Sequence, residues 1–265
     1  MYDIHSHIIY GIDDGAPDKE TAESLLAMAA NAGTSDIIAT PHVIEAYKHP
    51  SWETILEGVA ELKALSTKKG IQLQIYPGAE IMLSLDILSI YDEAPHAFCL
   101  NNTHYTLVEL PMLEVPHYTE DLFYQLQLKG LTPILAHPER YGDLFARSNG
   151  LERLLDWCNK GILLQINAGS ILGKFGTGAQ ENAELLLKNK LVSFIGSDAH
   201  RVKYRNTDLS KEKERLEALC DKDYVEKICI QNPRAMLAGE IINIDIPSKI
   251  QTNKKKASFW TRIFG

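Results

Sequence analysis

The chain has no run of eighteen apolar residues, and its opening Tyr2-Asp3-Ile4-His5 shows no basic segment leading into an apolar one. Neither a membrane-spanning helix nor an export signal is therefore expected. Cysteine is scarce: Cys99, Cys158, Cys220 and Cys229 are scattered without CxxC spacing in 265 residues. A chain of this length needs no disulfide staples, so these are expected to be buried thiols of a reducing compartment. None of the four has arginine at the offset of a CxxxxxR phosphate loop, which excludes a thiolate phosphatase of that kind. Positive charge is also in deficit, with 27 Lys and Arg against 35 Asp and Glu, a net of −8. Such a field repels polyanions, so no nucleic acid partner is expected and an anionic substrate must be captured locally. Together these absences point to a soluble, cytoplasmic protein.

What is present is enough apolar material, 45% of the residues, for one large domain. Short β-prone runs occur at Tyr2 to His7, Asp36 to Thr40, Gln72 to Pro77, Tyr105 to Leu110, Thr132 to Ala136, Ile162 to Asn167 and Val192 to Gly196. Helical patterns lie between them, at Lys19 to Asn31, Trp52 to Lys68, Thr119 to Lys129, Leu151 to Asn159 and Gln180 to Lys188. Gly33, Gly70, Gly130 and Gly161 stand where left-handed helix ends are needed, and Asn189 can play that part after the fifth helix. This is an α/β chain of repeated βα units, and seven of them favour a closed or nearly closed parallel barrel over an open sheet. Further helices are expected at Lys211 to Leu219 and Asp223 to Gln231, with Asn232-Pro233 as a stop. The barrel is expected over residues 1–244, and residues 245–265 read as a polar, basic tail. Its Phe259, Trp260, Ile263 and Phe264, beside Lys254, Lys255, Lys256 and Arg262, are a candidate contact with an anionic membrane or a partner; a solvated tail is the plainer reading.

Parallel barrels place their chemistry at the C-terminal ends of the strands. In chain order those ends carry His5 and His7, then His42, Glu80, Glu109, His137 with Arg140, and finally Asp198 with His200; the sixth ends at Asn167 without a strong ligand. Residues two apart on a strand share a face, so His5 with His7, and Asp198 with His200, can each grip an ion from one edge. Mixed imidazole and carboxylate ligands suit zinc, manganese or iron. Any one of these residues alone reads as a cap, a salt bridge or a packed histidine; their coincidence at six of seven strand ends makes a multinuclear metal site. His49, His96, His104 and His117 lie elsewhere and read as surface or packing residues.

The opening DIHSHIIYGIDDG and the later PH, GAE, HPER and GSDAH segments resemble the PHP (polymerase and histidinol phosphatase) superfamily. Within it the chain is similar, from Tyr2 to about Pro233, to the bacterial manganese-dependent protein tyrosine phosphatases of capsule and exopolysaccharide operons. That resemblance implies a distorted seven-stranded, TIM-like (βα)7 barrel and three divalent ions, manganese before zinc or iron. It implies one ion on His5, His7, Glu80 and Asp198, and a second on Glu80, Glu109 and His137. A third falls to Asp14, His42 and His200, with Asp13 as the competing carboxylate. Arg140 and Arg205 match the phosphate-binding arginines, with Arg201 as the rival to Arg205. The implied substrate is phosphotyrosine on an autophosphorylating polysaccharide-biosynthesis tyrosine kinase, and homo-oligomers occur in such a family.

The expected chemistry is phosphoric monoester hydrolysis by hydroxide held between the metal ions, with arginine neutralising the phosphoryl oxygens. A phenolate leaving group, of conjugate-acid pKa about 10, demands less protonation than an alkoxide. The rival readings are a histidinol phosphatase or other small-molecule phosphomonoesterase, a proofreading nuclease, and a non-catalytic metal-binding subunit of a polysaccharide export complex.

Overall fold

The computed structural model describes residues 1–45, 47–146, 149–247 and 250; the aromatic, basic segment expected over 251–265 lies outside the described residues. The strands are β1 (Tyr2–Ser6), β2 (Asp36–Ala39), β3 (His42–Val43), β4 (Gln74–Pro77), β5 (Glu80–Met82), β6 (Tyr105–Glu109), β7 (Thr132–Ala136), β8 (Leu163–Asn167) and β9 (Phe194–Gly196). The helices are α1 (Lys19–Asn31), α2 (Trp52–Lys69), α3 (Ile90–Glu93), α4 (Thr119–Leu128), α5 (Gly142–Ala146) and α6 (Gly150–Asn159). They continue with α7 (Ala168–Ile171), α8 (Thr177–Lys188), α9 (Ser210–Leu219), α10 (Lys222–Glu226) and α11 (Asn232–Leu237). None of the described helices is long and apolar enough to cross a membrane.

All pairings between these strands are parallel, in a three-stranded sheet β1-β2-β4 and a six-stranded sheet β3-β5-β6-β7-β8-β9. Each expected run forms a strand, but the described residues hold nine strands in two sheets, not seven in one. The extra strands arise from two interruptions. Pro41, which has no N–H to give a ladder, separates β2 from β3. Gly78 separates β4 from β5, where an added Cβ would stand 2.7 Å from Leu100 Cδ2. The sheet curls, because the end of β1 meets the segment after β9: Asp198 N donates to His5 O at 2.8 Å and His7 N to Ala199 O at 2.9 Å.

Helix ends follow local chemistry. Asp18 and Ser51 cap α1 and α2 by accepting from Thr21 N and Thr54 N. Gly33, Gly70, Gly130 and Gly161 all adopt positive φ, as helix-to-strand reversals require. Asn189 does not: its φ is −89°, its side chain donates to Leu185 O, and Lys190 makes the left-handed turn instead at 54°. Nor does Asn232-Pro233 stop the last helix. A π-turn over Lys227–Gln231 bonds Asn232 N to Lys227 O, and the chain runs on into α11 with Pro233 in its first turn. Proline is tolerated there because first-turn N–H groups lack intrahelical partners anyway.

The two faces of the curled sheet bury different cores. Val108, Leu135, Leu164, Ile166 and Ile195 pack against helix residues such as Leu122, Phe123, Leu154, Trp157 and Leu186. A second cluster holds Tyr105, Leu107, Ile134, Ala136, Leu163 and Phe194. With a period of two, Tyr105, Leu107 and Glu109 share one face of β6, and Leu163, Gln165 and Asn167 one face of β8. Along that face apolar residues at the strand starts give way to polar ones at the strand ends. The apolar end is covered by the chain after α11, where Ile242 and Ile244 pack on the second cluster. Tyr105 pins that cover, its hydroxyl donating to Glu240 O at 2.6 Å and accepting from Ile242 N at 3.1 Å.

Candidate metal centre

The polar ends of β1, β3, β5, β6, β7 and β9 converge on Glu80. Its Oε2 lies 3.2 Å from both His5 Nε2 and His7 Nε2 and 3.1 Å from His42 Nδ1, while Oε1 is 2.8 Å from His137 Nε2. Glu109 stands beside the same imidazoles, 3.1 Å from His42 Nδ1 and 3.8 Å from His137 Nε2. Asp198 Oδ1 is 3.6 Å from His5 and 3.5 Å from His7. The His200 ring lies 4.0 Å from that of His7, and Asp14 reaches it at 3.7 Å and His42 at 3.6 Å. Three groups can each surround an ion: His5 with His7 and Glu80, His42 with Glu80 and Glu109, and His7 with His42 and His200.

Two of these residues sit on backbone that side chains with a Cβ rarely adopt, His137 at φ 37° and Asp198 at φ 53°. Such conformations cost about 1–3 kcal/mol and persist only where surrounding structure imposes them. Here they turn the strand ends sharply, so that His137 and Asp198 reach the cluster.

The cluster suits cations because several of its ligand-type atoms have no hydrogen-bond partner of their own. His42 Nδ1, Glu80 Oε2, Glu109 Oε1 and His200 Nε2 are buried with no hydrogen-bond partner. Burial pulls the His7 imidazole down, yet the Asp13 carboxylate hydrogen-bonded to it, with the Glu80 carboxylate 3.2 Å away, more than offsets it, raising its pKa to about 9. His42 is likewise raised to about 9, burial being outweighed by Glu80 and Glu109. For Glu80, burial opposes ionisation, but His5 and His42 drive its pKa well below the usual value. His200 moves the other way, to about 3, through burial and the neighbouring His7 charge. Without metal, the carboxylates draw protons onto the imidazoles; divalent cations can take the place of those protons. No thiol takes part: burial pushes Cys99, Cys158 and Cys229 up to about 12 and, with the Asp221 charge, Cys220 to about 11.

The adjacent aspartates occupy different places. Asp13 Oδ2 contacts His7 Nδ1 at 2.7 Å and accepts from His42 N at 3.0 Å, so it orients His7 from behind. Asp14 is half-exposed at the rim beside His42 and His200, and Lys48 Nζ donates to it at 2.8 Å. The arginines also divide. Arg140 donates to Asp198 Oδ2 at 3.1 Å, and Arg205 to Asp198 O at 3.1 Å and to its Oδ1. Arg201 instead donates to the backbone carbonyls of Asp14, Gly15 and His200.

Three further residues belong to this site that ligand-type reasoning passed over. Gln165 Oε1 pairs with His5 Nδ1 at 2.9 Å, and its amide donates to Asn167 Oδ1 at 3.0 Å. Asn167 Nδ2 donates in turn to Asp198 Oδ2 at 2.6 Å. The strand without a ligand thus supplies two neutral amides that hold His5 and Asp198 in place, and the i, i+2 spacing at the end of β8 was the available signal. Phe175 carries both guanidinium groups over its ring, Arg140 at 4.6 Å and Arg205 at 5.7 Å. No pattern in the sequence marks it.

Known proteins share this architecture. CapC of Staphylococcus aureus is 34% identical over 258 residues, 96% of this chain and 98% of that one. YwqE of Bacillus subtilis, named a tyrosine-protein phosphatase, is 36% identical over 206 residues, 78% of this chain and 80% of that one. A solved structure from the study of YwqE and of CpsB from Streptococcus pneumoniae, described as unique metal-dependent tyrosine phosphatases, matches with a TM-score of 0.87. Its identity is 32%, over 95% of this chain and 100% of that one. The family model for capsular polysaccharide synthesis, CpsB/CapC, matches residues 1–238, and the chain belongs to that family.

Proposed function

We propose that the chain is a metal-dependent protein-tyrosine phosphatase, a phosphoric monoester hydrolase acting on phosphotyrosine of a polysaccharide-biosynthesis tyrosine kinase. The observation that carries this reading is the convergence of four imidazoles and two further carboxylates around Glu80, with two arginines at its edge. Taking β2 with β3, and β4 with β5, as single interrupted strands makes the curled sheet the distorted seven-stranded barrel of the PHP superfamily. The barrel domain then spans residues 1–244 and the tail 245–265.

Three divalent ions, manganese first and zinc or iron as alternatives, would be held by His5, His7, Glu80 and Asp198; by Glu80, Glu109 and His137; and by Asp14, His42 and His200. Bound there, they would supply Lewis-acid charge and an ionised water at neutral pH. The protein's own groups bind and orient the phosphate. Arg140 and Arg205 already grip a carboxylate, and the same planar forks match the non-bridging oxygens of a phosphate monoester. Phe175 restrains both guanidinium groups, which limits the conformational entropy lost when phosphate binds. Asp13 and Gln165 each engage the Nδ1 of a histidine, leaving His7 and His5 with Nε2 turned to the cluster. Four free thiols, three of them buried and Cys220 partly exposed against expectation, fit a cytoplasmic location. Self-association, and a tail that is solvated or else touches an anionic membrane or a partner, complete the proposal.

The test is hydrolysis of a chromogenic aryl phosphate with and without chelator, followed by manganese, zinc and iron add-back, then a phosphotyrosine peptide against histidinol phosphate. Chelator is expected to abolish turnover, metal to restore it, and the peptide to be preferred. Metal-independent turnover, or turnover of neither aryl phosphate nor peptide with any metal, overturns the reading.

A further inference from the structure

We propose that the loops around the metal centre form an apolar rim that docks the polypeptide on either side of a phosphotyrosine, selecting segments with large apolar flanking side chains. The inference rests on the phosphatase reading and adds a substrate preference to it. Tyr47, Leu85, Leu113 and Tyr204 stand in solvent, 76%, 63%, 94% and 87% exposed. Each follows a residue of the cluster by four or five positions: His42 before Tyr47, Glu80 before Leu85, Glu109 before Leu113 and His200 before Tyr204. At most about 18 Å of extended chain separates any of them from its cluster residue.

These loops are also tied to one another. Ser84 Oγ donates to Glu45 Oε2 at 2.9 Å, joining the segments of Leu85 and Tyr47. Lys48 Nζ donates to Asp14 Oδ1 at 2.8 Å and Arg201 to Asp14 O at 2.6 Å, which links Tyr47's loop to Tyr204's. Leu83 N donates to Glu109 O at 2.9 Å, beside the start of Leu113's loop. Single exposed apolar residues are ordinary on a protein surface. Four on linked loops, each a few residues from the cluster, are a recurrent feature that isolated surface residues would not produce.

The reaction itself identifies the occupant. With its phosphate held at the cluster, a phosphotyrosine brings its neighbours across these loops. At about 3.3 Å per residue, those within roughly five positions on either side come opposite the rim. The chain's net charge of −8 offers a phosphorylated, acidic segment no long-range attraction, which leaves short-range contact with the exposed apolar side chains to add affinity beyond the phosphate itself.

The experiment compares three substrates on the metal-loaded protein: p-nitrophenyl phosphate, a phosphotyrosine peptide with leucine flanks, and the same peptide with serine flanks. It is run on the unaltered chain and on the Leu85→Ser/Leu113→Ser double variant, with peptide Kd measured by fluorescence anisotropy. The unaltered chain is expected to favour leucine flanks at least ten-fold in kcat/KM, through KM. The double variant should lose that preference while p-nitrophenyl phosphate turnover stays within two-fold. Equal use of both peptides, equal loss on all three substrates, or an unchanged preference accompanied by an altered sedimentation coefficient overturns the proposal; the last makes the rim a contact between copies. Should no substrate be turned over, the phosphatase reading falls, and the ratio of the two Kd values still decides whether the rim selects apolar flanks.

Discussion

The two ends of the curled sheet are built from the same strands and even the same strand faces, yet they are opposite in character. At the strand starts, Tyr105, Leu107, Ile134, Leu163 and Phe194 form an apolar cluster under the Ile242–Ile244 cover. At the strand ends, Glu109, Gln165, Asn167, His137 and Asp198 are as thoroughly buried but polar, and Glu109 Oε1 and His137 Nδ1 lack hydrogen-bond partners. Burial therefore stabilises one end and strains the other. The apolar end supplies the stability that lets the polar end hold like charges and left-handed backbone together.

The sharpest way to break the contrast is at a cluster residue. His137→Ala is expected to lower kcat by about 10³-fold, at the upper end for loss of one electrostatic stabiliser. The thermal midpoint should stay near that of the unaltered protein, since the substitution removes a strained, charged-site residue and leaves the apolar end intact. Full activity in this variant would remove the proposed ion between Glu80, Glu109 and His137. Next in size, Arg140→Lys keeps the charge but loses the fork, and kcat/KM on aryl phosphate should fall about 10–100-fold. A loss confined to stability would show that Arg140 serves Asp198 and not the substrate.

Replacing the amides of β8 sharpens the same comparison from inside the sheet. Gln165→Leu or Asn167→Leu makes the polar end resemble the apolar one, and manganese affinity by equilibrium dialysis should fall about 10–100-fold. Unchanged metal retention would make the amides passive filler. The smallest effect is expected at the other end. Tyr105→Phe removes the hydroxyl that bonds Glu240 and Ile242, and urea unfolding should report about 1–2 kcal/mol less stability with catalysis unaffected.

The strand runs, the helices between them and the glycine reversals were legible because each depends on neighbours within a few positions. Period-two alternation and residue chemistry likewise made the ligand-type residues readable as a set, since barrels gather their strand ends. The misreadings were local competitions that tertiary packing resolved: Asn189 bonded the preceding turn with its side chain, and a π-turn carried the helix past Pro233.

Residue order by itself thus determined an α/β chain whose imidazoles and carboxylates recur at the ends of parallel strands. Only the tertiary structure decided that Asp13 backs His7 while Asp14 faces the opening, that Arg205 and not Arg201 reaches Asp198, and that Gln165, Asn167 and Phe175 join the site. The reason is physical. Those distinctions are differences of a few ångströms between segments that lie tens to hundreds of residues apart, and chain spacing does not encode such distances until the sheet has curled.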